Sequence, residues 1–393
     1  MGLLDFFRPE KRDNGQTFLS NAFGAGNGTG VSVSKDTALN YSAVYACVRV
    51  LSESIASLPL NVYEEERNGD RTLAKDHPIY KLISREPNSY MTSYTWREVL
   101  MANLVLRGNA YFFIERDRNA RPISLSYLDS DKVTVTHHEG DLFYSIKGVE
   151  TPVHQSNILH FKGLGFDGVK GKSVIKVHQD TIGLSLAANK YGGNFFGNAS
   201  KPSGVLKHPA KLSKEAANRL KNSWNASYGG VGNAHRTAIL EEGMDFKTVS
   251  INPQDADFLN TRKFQVNEIA RVFRVPPHLI GDLDRATFSN IEQQGIDFVV
   301  HTLRPYLSNI EAELNRKLFR ESEKEFYFIK FNVNGLMRGD SKARAEYYKA
   351  MSSIGAMSIN EIRRLEDYNR IENGNKHYYP LNMQDINTTK DGE

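Results

Sequence analysis

Residues 163–173 read GLGFDGVKGKS, a glycine-rich stretch closing on Gly-Lys-Ser. It lies between an apolar run, NILHF (157–161), and a helix-like one, SVIKVHQDTIGLSLAANKY. A phosphate-gripping loop would stand at such a place, and its chemistry would be nucleotide hydrolysis. The spacing argues against it. That loop needs glycine, four residues, then Gly-Lys-Ser/Thr, because the first glycine lets successive backbone N–H groups curl around the phosphates. Position 166 is Phe166, and the glycines at 163, 165 and 168 are out of register. The stretch is expected to be a flexible lead-in to a long helix.

Other chemical constellations are equally incomplete. The eleven histidines are scattered, and His137-His138-Glu139 lacks the i, i+4 helical spacing of a zinc protease. GAGNGTG (24–30) neither follows a strand nor opens a helix, as a dinucleotide fingerprint must. Asp255 with Asp257, and Asp282 with Asp284, could hold Mg²⁺ in a nuclease, but i, i+2 acids are ordinary turn and cap residues. Neither catalytic residues, nor a metal site, nor a cofactor is expected. The single cysteine, Cys47, leaves no disulfide framework, fits a reducing cytoplasm, and falls on the apolar face of a helix, hence in the core. No apolar run approaches the ~20 residues of a membrane span. MGLLDFFRPEKR is too briefly apolar for a signal peptide, and Phe6 stands where myristoylation needs Ser or Thr. A soluble protein, made in the cytoplasm and without a membrane partner, is expected.

The elements that would position any site are readable from periodicity. Residues 1–36 end in NAFGAGNGTG and read as a flexible arm. YSAVYACVRVLSESIASL (41–58) places Val44, Cys47, Val48, Leu51, Ile55 and Leu58 at helical spacing and stops at Pro59. A helix from Thr95, with Glu98 completing a capping box, ends near Gly108. LNVYEE, YFFIE, ISLSYL, KVTVTHH and LFYSI read as strands between Asp, Gly and Asn turns. Helices and antiparallel strands mix without a βαβ rhythm, so the fold class is α+β. Long helices follow at 172–198, where the glycines suggest close backbone approach or a break near 192, and at 255–273, stopped by Pro276-Pro277. Between them sits a small module: strand GVL, helix SKEAANRLKNSWNASY capped by Ser213, and strand RTAIL. A third long helix, 291–319, should kink at Pro305; strand FYFIKFNVN and two terminal helices, the second with a Ser358–Glu361 capping box, complete the chain.

Charge is uneven. From Lys170 to Leu240 eleven Lys/Arg stand against two acids, a net +9, so the remainder carries −5 of the overall +4. Such a segment suits a polyanion or an acidic partner, or is simply a solvated basic face. Two long helices with a small basic excursion between them resemble a stalk carrying a head, which implies oligomerisation to cover the stalk. The loop 276–290 combines two prolines, Gly281 and Ser289, apolar Leu279, Ile280 and Phe288, and alternating Asp and Arg; its length inside a helical region marks it as functional.

The stretches YSAVYACVRVLSESIASLPLNVY, HPIYKLISREPNSYMTSYTWREVLMANLVLRGNAYFFIERD, NFFGNASKPSGVL and VPPHLIGDLDRATFSNIEQQGIDFVVHTLRPYLSNIEAELNRKL, in that order, resemble the portal proteins of tailed double-stranded-DNA bacteriophages, of the small type found in long-tailed phages. The resemblance spans 37–385. It implies the portal fold: an α/β wing, a two-helix stem, a small α/β clip, a kinked long helix with a tunnel loop, and a short helical crown. The parts would be wing 37–170, stem helices 171–199 and 251–275, clip 200–250, tunnel loop 276–290, wing helix and strand 291–339, and crown 340–385, with 386–393 a disordered tail. It implies a dodecameric ring at one capsid vertex of the virion, assembled in the host cytoplasm. DNA would pass through it without sequence preference, with terminase and the head–tail adaptor docking at the clip and major capsid and scaffold proteins around it. No enzymatic activity is implied. In the tunnel loop, Arg285 would face DNA, with Asp282 and Asp284 limiting the attraction; a salt bridge from Arg285 to a neighbouring subunit is the alternative. Lys201, Lys207, Lys211, Lys214 and Lys221 would meet DNA at the mouth or acidic partner surfaces, and Trp224 is either clip core or a partner-facing anchor. Two rival readings stand beside the portal: a solitary nucleic-acid-binding module, and a metal-dependent nucleic-acid-processing enzyme.

Overall fold

The computed structural model describes residues 32–197, 204–209, 211–228, 240, 243–248, 253–283, 288–333, 341–366 and 368–378. The chain divides into two compact units, one of Gln179–Glu268, the other of Ser34–His178 with the chain from Ile269 onward.

In the larger unit, helix α1 (Lys35–Leu39) opens on a Ser34 capping box. Helix α2 (Ser42–Ala56) buries Val44, Cys47, Val48, Leu51 and Ile55, the stripe its periodicity predicts. Strands β1 (Leu60–Glu65) and β2 (Arg71–Leu73) and helix α3 (Pro78–Ser84) follow. Helix α4 (Ser93–Arg107) is capped three residues before the expected Thr95, by Thr92, which accepts the Thr95 N–H; it stops at Gly108, left-handed at φ +75°. Strands β3 (Asn109–Arg116), β4 (Pro122–Leu128), β5 (Val133–His138), β6 (Asp141–Ile146), β7 (Val153–His154) and β8 (Ile158–Lys162) complete its first half. β3 is the central strand of the order β4-β3-β8, and β5-β6-β7 form a second antiparallel sheet.

β3 reads as an almost unbroken apolar run because both of its faces are covered. Alternate residues leave opposite faces of a strand. Phe112 turns to Trp96 of α4 at 5.4 Å and to Phe161 at 6.2 Å. Tyr111 turns the other way, into a cluster with Val133, Val135, Tyr144 and Ile158. Arg97, also on α4, is buried without an acid partner: its guanidinium donates to Ala56 O, the last carbonyl of α2, at 2.7 Å, and to Ile83 O. A cation at a helix C-terminus satisfies orphan carbonyls and the dipole together, although burial pulls its pKa down to about 10.

The smaller unit is made of residues 179–268. The expected helix 172–198 breaks at His178 (φ −106°, ψ 27°) into α5 (Val174–Val177) and α6 (Gln179–Gly197). It runs through Gly192 and Gly193 without interruption, and a side chain at Gly193 would meet nothing within 4 Å. β9 (Gly204–Lys207) pairs antiparallel with β10 (Asp245–Thr248), and α7 (Lys214–Tyr228) carries the predicted Ser213 cap, Ala216 N–H to Oγ at 3.2 Å. Of the predicted strand 236–240 all but Leu240 lies outside the described residues. Arg262 of α8 (Pro253–Phe273) donates to Asn189 of α6 at 2.9 Å.

Back in the larger unit, α9 (Phe288–Asp297) passes into α10 (Arg304–Leu318) through a π-helical turn, Phe298–Leu303. The expected kink at Pro305 takes this form because proline has no N–H for the carbonyl four residues earlier. That carbonyl, His301 O, is taken by the Arg274 guanidinium. Arg274 itself sits at φ +57°, the left-handed position after α8 where glycine is usual, and its own carbonyl accepts from Thr302 Oγ at 2.8 Å.

α10 holds two sheets by two polar stripes. Asn309 donates to Lys162 O at 2.6 Å, Glu313 accepts from His160 N–H at 2.9 Å, and Lys317 donates to Ile158 O, all on β8. Glu311 accepts from Phe331 N–H at 2.8 Å and Asn315 bonds both backbone groups of Ile329, on β11 (Tyr327–Phe331). β11 pairs with β1, Leu60 opposite Phe331 and Val62 opposite Ile329. Helices α11 (Ser341–Ser353) and α12 (Ile359–Leu365) follow, the latter with the predicted Ser358–Glu361 capping box.

Candidate nucleic-acid and partner interfaces

The stretch 163–173 is a tied loop rather than a flexible lead-in, and five of its N–H groups are held by acceptors within the same unit. Gly163 N–H donates to Gly108 O (2.8 Å), Lys172 N–H to Leu164 O (2.7 Å), and Gly171 N–H to Asn109 Oδ1 (2.8 Å). Val169 and Lys170 N–H both go to Asp167 Oδ1 at 2.8 and 2.9 Å, and Lys162 Nζ takes Gly168 O. A phosphate cradle needs its donors free, and these five are already paired.

Beneath the loop runs a buried relay. Asn109 Oδ1 accepts from Gly171, so the His160 Nε2 facing it at 3.0 Å must carry the proton; Nδ1 then accepts from Tyr144 OH at 3.1 Å. Burial first, then Lys162, Lys317, Lys170 and Arg316, depress His160 to about 2. In the unfolded chain it would titrate near 6.5. Between those values the unfolded state binds the extra proton, so stability falls as pH drops below 6.5, by about 1.4 kcal/mol per unit. Denaturant titrations at pH 6.5 and 5 are expected to show wild type losing ground to His160→Gln by that slope, since the variant has no proton to gain.

The sequence-predicted residues are spread over both units. Lys207 ends β9 opposite Asp245 of β10, so an acid stands beside it. Lys214 and Lys221 are exposed and, seven apart on α7, share a face; Lys211 is exposed just before the helix. Trp224 on α7 is half-buried. Lys201 lies outside the described residues, as do Asp284 and Arg285. Asp282 is half-buried after a 3₁₀ turn at Pro277–Ile280, its N–H on Pro277 O at 3.0 Å. Two signals were missed: the left-handed Arg274 anchoring the start of that loop, and Leu164 with Phe166, 81% and 86% exposed on the tied loop. Among the described residues no group of His, Cys, Asp and Glu could hold a metal, His137, His138 and Glu139 are exposed, and no helix is long and apolar enough to cross a membrane.

Helices mixed with small antiparallel sheets, with a basic stretch between two long helices, make an α+β fold. Among solved structures the chain is similar to one from the neck of an empty gene transfer agent particle computed with C6 symmetry (TM-score 0.61, 24% identity, covering 93% of this chain and 96% of that one). It is similar also to one from the neck of the native particle computed with C12 symmetry (TM-score 0.59, 23% identity, 90% and 99% covered). The family model for phage portal proteins matches residues 42–367. The chain is 36% identical over 386 residues to the probable portal protein of Streptomyces phage phiC31, covering 92% of this chain and 82% of that protein. It is 33% identical over 377 residues to the portal protein of Enterobacteria phage HK97, covering 92% and 87%. The chain belongs to the phage portal protein family.

Proposed function

We propose that twelve copies of this chain form a ring at one capsid vertex through which duplex DNA is packaged and later ejected. The observation that carries this is family membership along nearly the whole chain, supported by likeness to particle necks of C6 and C12 symmetry. In this reading 37–170 with 291–339 is the wing, 171–199 and 251–275 the stem, 200–250 the clip, 276–290 the tunnel loop and 340–385 the crown. The clip docks terminase and then the head–tail adaptor; capsid and scaffold proteins surround the ring. In this reading the subunit does no chemistry of its own, as befits a member of a structural family.

A channel must hold DNA weakly. Every neutralised phosphate adds affinity and salt dependence, and a ring repeats each contact about twelvefold. Asp282 and Asp284 beside Arg285 keep the tunnel loop from becoming a brake. Negative-stain imaging with native mass spectrometry tests the proposal: rings with a hole of roughly 20 Å or more are expected, and a monomer that binds DNA tightly and cleaves it with Mg²⁺ would sink it. For the clip, Lys214→Glu/Lys221→Glu is expected to flatten the log K against log salt slope by about 0.9 for each phosphate that is no longer neutralised. An unchanged slope with weakened motor binding assigns those lysines to an acidic protein surface instead.

A further inference from the structure

The loop 163–171 has two properties that conflict unless it is an interface. It is held at both ends and in the middle by the hydrogen bonds described above, and three of its four glycines, Gly163, Gly165 and Gly171, are packed against backbone: a side chain at Gly165 would lie 2.2 Å from Lys170 O. Yet the ordered backbone displays Leu164 and Phe166 to water at 81% and 86% exposure. An isolated exposed apolar residue is ordinary, but two on a fixed loop, set in place by a buried relay, present a surface meant to be covered.

A complementary hollow exists on the same unit. A cavity of about 310 Å³ is lined by Tyr63, Arg71, Phe328, Phe331 and Val333 among others. Tyr63 stacks on Phe328 at 5.4 Å, and the Arg71 guanidinium lies 5.2 Å from that ring. The charged side chains lining the hollow are the cations Arg71 and Lys330, which suit Asp167, the carboxylate next to Phe166 on the loop. Plug and hollow cannot meet within one chain, because α10 stands between them. Asn309 holds Lys162, at the base of the loop, and Glu311 holds Phe331, in the wall of the hollow. Two residues along a helix turn about 200°, so the two features face opposite flanks. A knob on one flank and a socket on the other make a head-to-tail contact, the kind that closes into a ring when its rotation permits.

We propose that Leu164 and Phe166 of each subunit insert into the Tyr63–Phe328–Val333 hollow of the next copy of this chain, so that the glycine-rich loop is a ring-closing plug. This rests on the ring reading above and deepens it. The loop's glycines then serve stiffness and close approach, which explains why a stretch resembling a phosphate loop keeps the glycines and fails the spacing.

The full chain suits a cysteine test, because its only native thiol, Cys47, is buried and pushed up to about 12. In oxidising buffer, Phe166→Cys/Val333→Cys is expected to give an interchain ladder ending in covalent rings; the two single variants mixed give bridged dimers only, and either alone gives none. Phe166→Asp changes an exposed position and should leave Tm unchanged while lowering ring yield at least tenfold in micrographs and native mass spectra. Wild-type rings that Phe166→Asp leaves intact would overturn the plug while sparing the ring, even if packaging or motor binding then failed, since the loop's partner would be another protein. Self-bridging of Phe166→Cys would also overturn it, since that requires a two-fold contact, and rings lacking the 166–333 bridge would overturn the socket. A wild-type chain that never forms rings would overturn the ring reading itself, and the plug with it.

Discussion

Glu313→Ala is expected to destabilise the larger unit by about 3–5 kcal/mol, the range for breaking a buried ion pair by removing one partner. The Glu313 and Lys317 side chains are only 11% and 6% exposed and meet at 2.6 Å. Glu313 Oε1 also accepts the His160 N–H, and Lys317 donates to Ile158 O. Removing the carboxylate strands an ammonium whose pKa burial already lowers and which Glu313 holds up, and leaves a strand N–H without its acceptor. The cost belongs to the unpaired charge rather than to the pair. Glu313→Gln/Lys317→Met, which keeps an acceptor for His160 and removes both charges, is therefore expected to recover most of the loss. Denaturant unfolding in a Trp224→Phe background reports the larger unit through buried Trp96. A double variant as unstable as Glu313→Ala would show that the loss comes from packing.

Much of the architecture is legible because it rests on local patterns. The stripe of α2, the Ser213 cap and the Ser358–Glu361 box are short-range chemistry. What could not be read depends on residues far apart. Thr92 and Thr95 are both capping residues, and only the path of the chain decides that the first is used. The stop at His178 was hidden by continuous helical periodicity through 172–191, whereas glycines 192 and 193, which looked like a break, are carried inside the helix. At Arg274 propensity favours glycine, and a tertiary bond to His301 O, vacated by Pro305, overrides it. The candidate site residues were legible only as a family likeness. Lys207, Lys211, Lys214 and Lys221 are exposed, but Asp245 beside Lys207 came from a strand the periodicity did not suggest. Phe166 was read only as the residue that spoils a phosphate loop, because exposure of an apolar side chain on an ordered loop is a tertiary fact.

Gly171→Ala is expected to cost about 3–5 kcal/mol and to release the loop. The added methyl would lie 2.0 Å from Gly108 O and 2.5 Å from Gly163 N, both backbone atoms on segments that cannot swing aside. Overpacking alone costs ~1–3 kcal/mol. Separating the strands also removes the Gly163–Gly108 bond and the paired bonds between Asn109 and Gly171, at 2.8 Å each, for roughly 1 kcal/mol apiece. Two other glycines supply the contrast. Gly168, at φ +69° with open space around it, should lose only ~1–2 kcal/mol as alanine, the left-handed penalty alone. Gly193, inside α6 with nothing within 4 Å, should gain up to ~1 kcal/mol. Hydrogen exchange at residues 163–172 distinguishes strain from simple destabilisation: Gly171→Ala should expose these amides below its global unfolding transition, and Gly168→Ala should not. If the loop is the ring-closing plug, Gly171→Ala also lowers ring yield, and adding Phe166→Asp lowers it no further, because a plug already out of place no longer touches the socket.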